Sequence, residues 1–110
     1  MEMDTELAGE QAVIRLTGRL TMVSAPRLRQ VVTETVGSGH TRVVLDLEGC
    51  EFVDSSGLGA LVAGLKTARQ AGGDLRIARV RPQVSTVLEL TNLDRVLRSY
   101  PSVDRALGVG

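Results

Sequence analysis

Six consecutive residues, Asp54-Ser55-Ser56-Gly57-Leu58-Gly59, place a carboxylate, two hydroxyls and two glycines directly after an apolar run. A serine hydroxyl can attack a substrate or cap a helix. Attack needs a base, and the single histidine, His40, has no evident route to Ser56. No Gly-x-Ser-x-Gly elbow is present, so hydrolase chemistry fits poorly. No glycine-rich loop ends in Lys-Ser/Thr, which argues against nucleotide hydrolysis by this chain. What remains is the start of a helix at the carboxyl end of a strand, where open α/β sheets gather ligands. Helix N-termini present unpaired N–H groups and about half a positive charge, so an anion is welcome beside Ser55 and Ser56. Asp and Ser are also the best N-cap residues, and capping is expected to account for two of Asp54, Ser55 and Ser56.

Helical spacing separates the two serines. Asp54 and Ser55 lie four and three residues before Leu58, on the stripe expected to be buried. Ser56 lines up instead with Gly59, Ala60, Ala63 and Gly64. That small, flat face suits either close packing against another helix or the approach of a partner to the hydroxyl. Gly57 and Gly59 each disfavour a helix interior by about 0.8–1 kcal/mol, so access explains them better than helix stability does.

Several elements must hold this segment in place. Met3–Leu7 reads as a weak edge strand, and Ala12–Thr17 alternates with Ala12, Ile14 and Leu16 on one face. Gly9-Glu10 between them suits a tight antiparallel hairpin. Arg42–Leu47 is almost continuously apolar, as a central strand covered on both faces would be, and a short loop is expected from residue 48 to the helix at 54. Leu75–Val80 is a further strand, placed near an edge by its arginines. Ser24–Val36 is a helix carrying Leu28, Val31, Val32 and Thr35, with Ser24 as cap and Pro26 in the first turn. Leu58, Leu61, Val62, Leu65 and Ala68 form a second helical stripe that stops at Gly72-Gly73. Pro82 opens a third helix bearing Val84, Val87, Leu88 and Thr91, closed by a left-handed Asn92. Ser102–Leu107 reads as a short last helix. The fold class is α/β: a small mixed sheet of about 4–5 strands, an antiparallel hairpin followed by parallel crossovers, with 3–4 helices.

The chain has 110 residues, 43% of them apolar and 24% charged, which is the composition of one globular domain. Aromatics make up 2%, so the core must be Leu, Val, Ile and Ala. No apolar run is long enough to span a membrane, and the acidic start is no secretory signal. Net charge is zero and stacking platforms are missing, which argues against a nucleic-acid binder. Residues 1–55 carry nine acids against five arginines (−4), and residues 56–110 carry eight bases against four acids (+4). Cys50 is the only cysteine, so no internal disulfide forms, and with His40 it cannot build a zinc site; a reducing cytoplasm is expected. Cys50 reads as a small residue in the loop after the strand, and His40 as an exposed turn residue. Asp46, in a strand that looks buried, is expected to be paired. Arg76, Arg79 and Arg81 read as solvated edge charges. Met22 and Val23 suit either a hydrophobic staple on the first helix or an exposed binding edge beside Ser56.

The run Asp54-Ser55-Ser56-Gly57-Leu58-Gly59 after an apolar strand resembles the signature of STAS domains, specifically bacterial anti-sigma factor antagonists. The likeness extends over residues 3–108 as a single domain and takes in Gly18-Arg19-Leu20 and Leu88-Glu89-Leu90-Thr91-Asn92-Leu93. It implies a STAS-like fold, no enzymatic activity, no cofactor and no metal. It also implies a phosphoacceptor at Ser56, modified by an anti-sigma factor that is a serine kinase and restored by a serine phosphatase. The unmodified form would bind that kinase and free a sigma factor. The expected partner surface is Thr21, Met22, Ser24, Asp54, Ser55, Gly57, Leu58, Gly59 and Ala63. Thr21 stands where the family usually has Asp; it can hydrogen-bond but carries no charge. Two alternatives accompany this reading: a STAS scaffold or transporter-associated subunit that is never phosphorylated, and a phospho-receiver or small enzyme using Asp46 or Asp54. A receiver would be expected to show early paired acids after a first strand to hold Mg²⁺, which this chain lacks, and more alternating strands. The chain is expected to be cytoplasmic and, from its length and ends, to stand alone.

Overall fold

The computed structural model describes residues 1–108. Strands β1 (Glu2–Ala8), β2 (Gln11–Leu20), β3 (Arg42–Val53), β4 (Asp74–Ala78) and β5 (Ser99–Tyr100) form one sheet in the order β1-β2-β3-β4-β5. The first pair is antiparallel and the others are parallel. The β1–β2 hairpin closes through Gly9, whose φ of +58° is cheap only for a residue without Cβ. Helices α1 (Ala25–Gly37), α2 (Ser55–Gln70) and α3 (Pro82–Leu90) are the three crossovers, and a short α4 (Val103–Leu107) follows β5.

Strand order steps in one direction from β2 to β5, so right-handed crossovers put α1, α2 and α3 on the same face. The main core lies there, built from Leu28 and Val32 of α1, Leu61, Leu65 and Ala68 of α2, Val84 and Leu88 of α3, and Ile14, Leu45 and Ile77 of the sheet. A smaller cluster on the other face joins Val13, Val44 and Ala78 to Ala106 of α4. Apolar cover on both faces explains why Val43, Val44, Leu45 and Leu47 in β3 do not alternate with polar residues.

Several boundaries differ from the sequence reading. β2 runs past Thr17 to Leu20, and β3 runs past Leu47 to Val53, so the expected loop at 48–53 is strand. This extension pairs only with the end of β2, through Thr17↔Gly49, Gly18↔Cys50, Arg19↔Phe52 and Leu20↔Val53, with register shifts that absorb unmatched residues. Bulged pairing breaks the two-residue period by which a strand is recognised. Cys50 therefore sits on a strand and faces the core. β4 stops at Ala78, and two-residue β5, too short for a periodic signal, pairs with its outer edge. Ser24 occupies the N-cap position of α1 without capping it: its hydroxyl donates to the Arg19 carbonyl and accepts from the Thr21 N–H. Asn92 adopts the expected left-handed conformation, at φ +60°.

Candidate functional site at the start of helix α2

The extensions of β2 and β3 end side by side and deliver two connections to one place. The residues after Leu20 form the loop into α1, and Asp54 follows Val53 directly as N-cap of α2. Its carboxylate joins the two connections. One oxygen accepts from the Gly57 N–H at 2.8 Å, and the other accepts from the Met22 N–H at 3.0 Å, thirty-two residues away in sequence. The Asp54 N–H donates to the Leu20 carbonyl, which seals the joint. Thr21 braces the loop from inside: its carbonyl accepts from Ser24 and Ala25, and its hydroxyl accepts from the Val23 N–H.

Capping thus falls to Asp54 alone. Among the described residues neither Ser55 nor Ser56 uses its hydroxyl in a hydrogen bond. Ser56 is half-buried. No buried side-chain oxygen among the described residues lacks a partner, so the unbonded Ser56 hydroxyl must reach solvent. Ser55, expected on the buried stripe, is exposed because the helix begins with it and the sheet lies on the opposite side.

The two glycines do different things. Gly57 is buried, and a Cβ there would lie 2.4 Å from the Leu20 carbonyl oxygen and 2.7 Å from Val53 Cγ2. It is glycine so that α2 can start against the ends of β2 and β3, which corrects the expectation that access explains it. Leu58 is also buried, at 8% exposure, and packs into the core. Both are removed from the side-chain surface offered to a partner. Gly59 is open: a Cβ there would meet only the Arg29 guanidinium, at 3.2 Å. Lower on the same side of α2, Gly64 is buried with Leu75 of β4 3.0 Å and Val32 of α1 3.5 Å from its Cβ position, while Ala63 stays half-buried. The small face therefore packs against α1 at its base and is open near Ser56.

Met22 and Val23 are 71% and 87% exposed, so the staple is not formed and two apolar side chains project beside the α2 start. Phe52, 41% exposed at the end of β3, lies under the Arg19 guanidinium at 4.5 Å. The sequence reading missed this pair; the extra strand length that makes Arg19 and Phe52 neighbours was its only signal.

Other singled-out residues lie elsewhere. Asp46 is buried on the α4 face and held by Arg79, whose Nε is 3.1 Å and Nη2 2.5 Å from the carboxylate, with Arg15 at 3.6 Å. Burial raises its pKa, but hydrogen bonds from Arg79 and the Glu48 N–H, with the charges of Arg79 and Arg15, prevail and hold it below the usual carboxyl range. Arg79 also pairs with Glu48, and its backbone is left-handed at φ +55°. Arg81 donates to the Glu48 carbonyl, and Arg76 to the Ala106 carbonyl while facing the Tyr100 ring. These arginines are tied into the structure, Arg79 by the buried Asp46 and Arg76 and Arg81 by backbone carbonyls, ties that edge position alone did not reveal. Burial pushes the Cys50 thiol up, so it stays protonated. Nδ1 of half-buried His40 lies 2.6 Å from the Gly9 carbonyl oxygen. Among the described residues no cluster of His, Cys, Asp or Glu could hold a metal, and no helix is long and apolar enough to cross a membrane.

Comparison with known proteins places this geometry. Residues 3–99 match the family model described as "Mlab, STAS domain". The anti-sigma F factor antagonist of Paenibacillus polymyxa is 29% identical over 96 residues, spanning 86% of this chain and 82% of that protein. The anti-sigma-B factor antagonist of Staphylococcus aureus is 30% identical over 80 residues, spanning 73% and 74%. The crystal structure of an anti-sigma factor antagonist from Mycobacterium paratuberculosis superposes with a TM-score of 0.85 at 29% identity, covering 97% of this chain and 91% of that one.

Proposed function

Since the chain belongs to the STAS-domain family of anti-sigma factor antagonists, we propose that it is a binding module whose docking face is switched by a phosphate on Ser56. Residues 3–108 act as one domain in this reading. The partner is an anti-sigma factor with serine kinase activity, met in the cytoplasm. Binding of the unmodified form releases a sigma factor, and a serine phosphatase restores that form. The chain itself performs no catalysis. The docking face consists of Thr21, Met22, Ser24, Ser55, Ser56, Gly59 and Ala63, with Asp54 fixing its shape.

The observation that carries this reading is the hydroxyl of half-buried Ser56, which makes no hydrogen bond among the described residues and reaches solvent at the helix start that Asp54 ties to the loop bearing exposed Met22 and Val23. An exposed apolar pair next to a free hydroxyl suits a partner that must both grip and modify. Phosphorylation adds about −1.5 to −2 charge at pH 7. Within this chain the first N–H groups of α2 tolerate that charge. At a docked interface the same charge must be desolvated or meet a cation, and a coupling of about 1–3 kcal/mol shifts affinity roughly 5–150-fold.

Incubation with the cognate kinase and ATP, followed by mass spectrometry, tests the acceptor. Phosphate on Ser56 is expected; an acyl phosphate on Asp46 or Asp54 indicates a receiver. No phosphate indicates a scaffold, the reading that uncharged Thr21 favours. Ser56→Ala should retain the kinase constitutively and Ser56→Asp should retain it weakly. Equal retention of wild type and both variants would remove the switch.

A further inference from the structure

We propose that Arg29 is the cation that pairs with the phosphate once Ser56 carries one. The inference rests on the reading of Ser56 as phosphoacceptor. It comes from the seam between α1 and α2, where Nη2 of Arg29 reaches to 3.2 Å from the Cβ position of Gly59. Ser56 precedes Gly59 by three residues on α2, so their Cβ positions are about 5–6 Å apart on one side of the helix. Cα–Cβ bonds on a helix lean toward its N-terminus, so the Cβ position of Gly59, and the guanidinium beside it, lie on the Ser56 side of residue 59, within reach of a phosphoryl group on Ser56. A side chain at 59 would stand between the two.

Arg29 has no other evident task. The arginines nearest to it along the chain are committed: Arg27 donates to the Met1 carbonyl and Arg19 lies over the Phe52 ring. Among the described residues Arg29 makes no ion pair and donates no hydrogen bond. Its planar fork matches two phosphoryl oxygens at once, which lysine's point charge does not. Asp54 is the fixed charge acting in the opposite sense: its carboxylate, bound by the Met22 and Gly57 N–H groups, repels the phosphate from the loop side and so favours the α1 side. The modified protein would then hold its new charge against α1.

The test places phosphoserine at position 56 by genetic encoding, so that no kinase is needed, and follows the ³¹P resonance through a pH titration. Free phosphoserine loses its second proton near pH 6. Pairing with Arg29 should hold that pKa below the ordinary value, and Arg29→Gln should raise it by about half a unit, the scale of an exposed ion pair. Arg29→Lys should fall between them, and Arg27→Gln should leave the titration unchanged. The gap between wild type and Arg29→Gln should narrow at high salt. Superimposable titrations for wild type and Arg29→Gln, or an equal rise in Arg27→Gln, would overturn the inference. A kinase that fails to modify Ser56 removes the reading beneath it and leaves these titrations as they are.

Discussion

Two glycines separated by one residue should respond to alanine with opposite signs. At Gly57 a methyl group would lie 2.4 Å from the Leu20 carbonyl oxygen, 2.7 Å from Val53 Cγ2 and 2.9 Å from Leu20 Cγ. The two side-chain atoms could turn aside, but the carbonyl belongs to backbone that also accepts the Asp54 N–H. Relief therefore requires α2 to lift from the sheet, and overpacking of this kind costs about 1–3 kcal/mol. Alanine's better helix propensity returns up to about 1 kcal/mol, which takes the middle of that range, about 2 kcal/mol, down to a net loss of about 1 kcal/mol. At Gly59 the single obstacle is the tip of Arg29 at 3.2 Å, a flexible side chain that can move by a few tenths of an ångström. Gly59→Ala then keeps most of the propensity gain, about 0.5–1 kcal/mol. At about 4 °C per kcal/mol, thermal unfolding should show Gly57→Ala melting about 4 °C below wild type and Gly59→Ala about 2–4 °C above it. Urea midpoints with unchanged m-values should give the same order. If both substitutions lower stability equally, or Gly57→Ala melts with wild type, then the close approach of α2 to β2 is not what makes residue 57 glycine.

The buried acid gives a pH signature. The folded-state pKa of Asp46 is depressed, so its ion pairs stabilise the protein above the unfolded carboxyl value near 3.9, and that contribution fades as pH falls through the lower folded value. Asp46→Asn should lose stability at neutral pH, and its deficit relative to wild type should shrink as denaturation is followed from about pH 5 toward pH 2; a deficit constant over that range would refute the pairing. The raised Cys50 thiol should react with a disulfide reagent only as fast as the protein opens, so native labelling quicker than unfolding would contradict its burial. Met22→Ser with Val23→Ser, at side chains largely in solvent, should change the melting temperature by no more than a degree or two while weakening partner retention at least tenfold; retention equal to wild type would move the docking face elsewhere.

The parts legible in the sequence were those with a period or a cap. Leu28, Val32 and Thr35 on α1, and Leu61, Leu65 and Ala68 on α2, are buried as their spacing requires. Asp54 preceding a glycine-rich helix start was readable as a cap. What the sequence hid depends on contacts between distant segments. The strand beyond Leu47 has no alternation, because its pairing with β2 is bulged, and so Cys50 looked like a loop residue. Gly57 suggested access because a glycine records only that a side chain is unwelcome, and the reason lies thirty-seven residues away at Leu20. Arg79 resembled an edge charge because its partner Asp46 is on the neighbouring strand, thirty-three residues earlier. Met22 and Val23 could not be assigned between staple and surface until the loop was pinned by a hydrogen bond to Asp54.

That hydrogen bond bears on how a switch could operate here without a conformational change. The Asp54 carboxylate uses one oxygen on the helix and the other on the loop, and its own N–H on the end of β2. Loop, helix and sheet are thereby fixed to one another immediately next to Ser56, and Gly57 lets α2 seat closely against the Leu20 carbonyl. A phosphate on Ser56 breaks none of these bonds, since the hydroxyl takes part in none of them. Moving the loop would require giving up a charge-assisted hydrogen bond of about 1.5–3 kcal/mol, and a phosphate held on the α1 side by Arg29 would offer nothing in exchange. A phosphate on Ser56, as proposed, would therefore act as a charge added to a rigid surface, and its effect on binding would be set by what a partner brings to that surface.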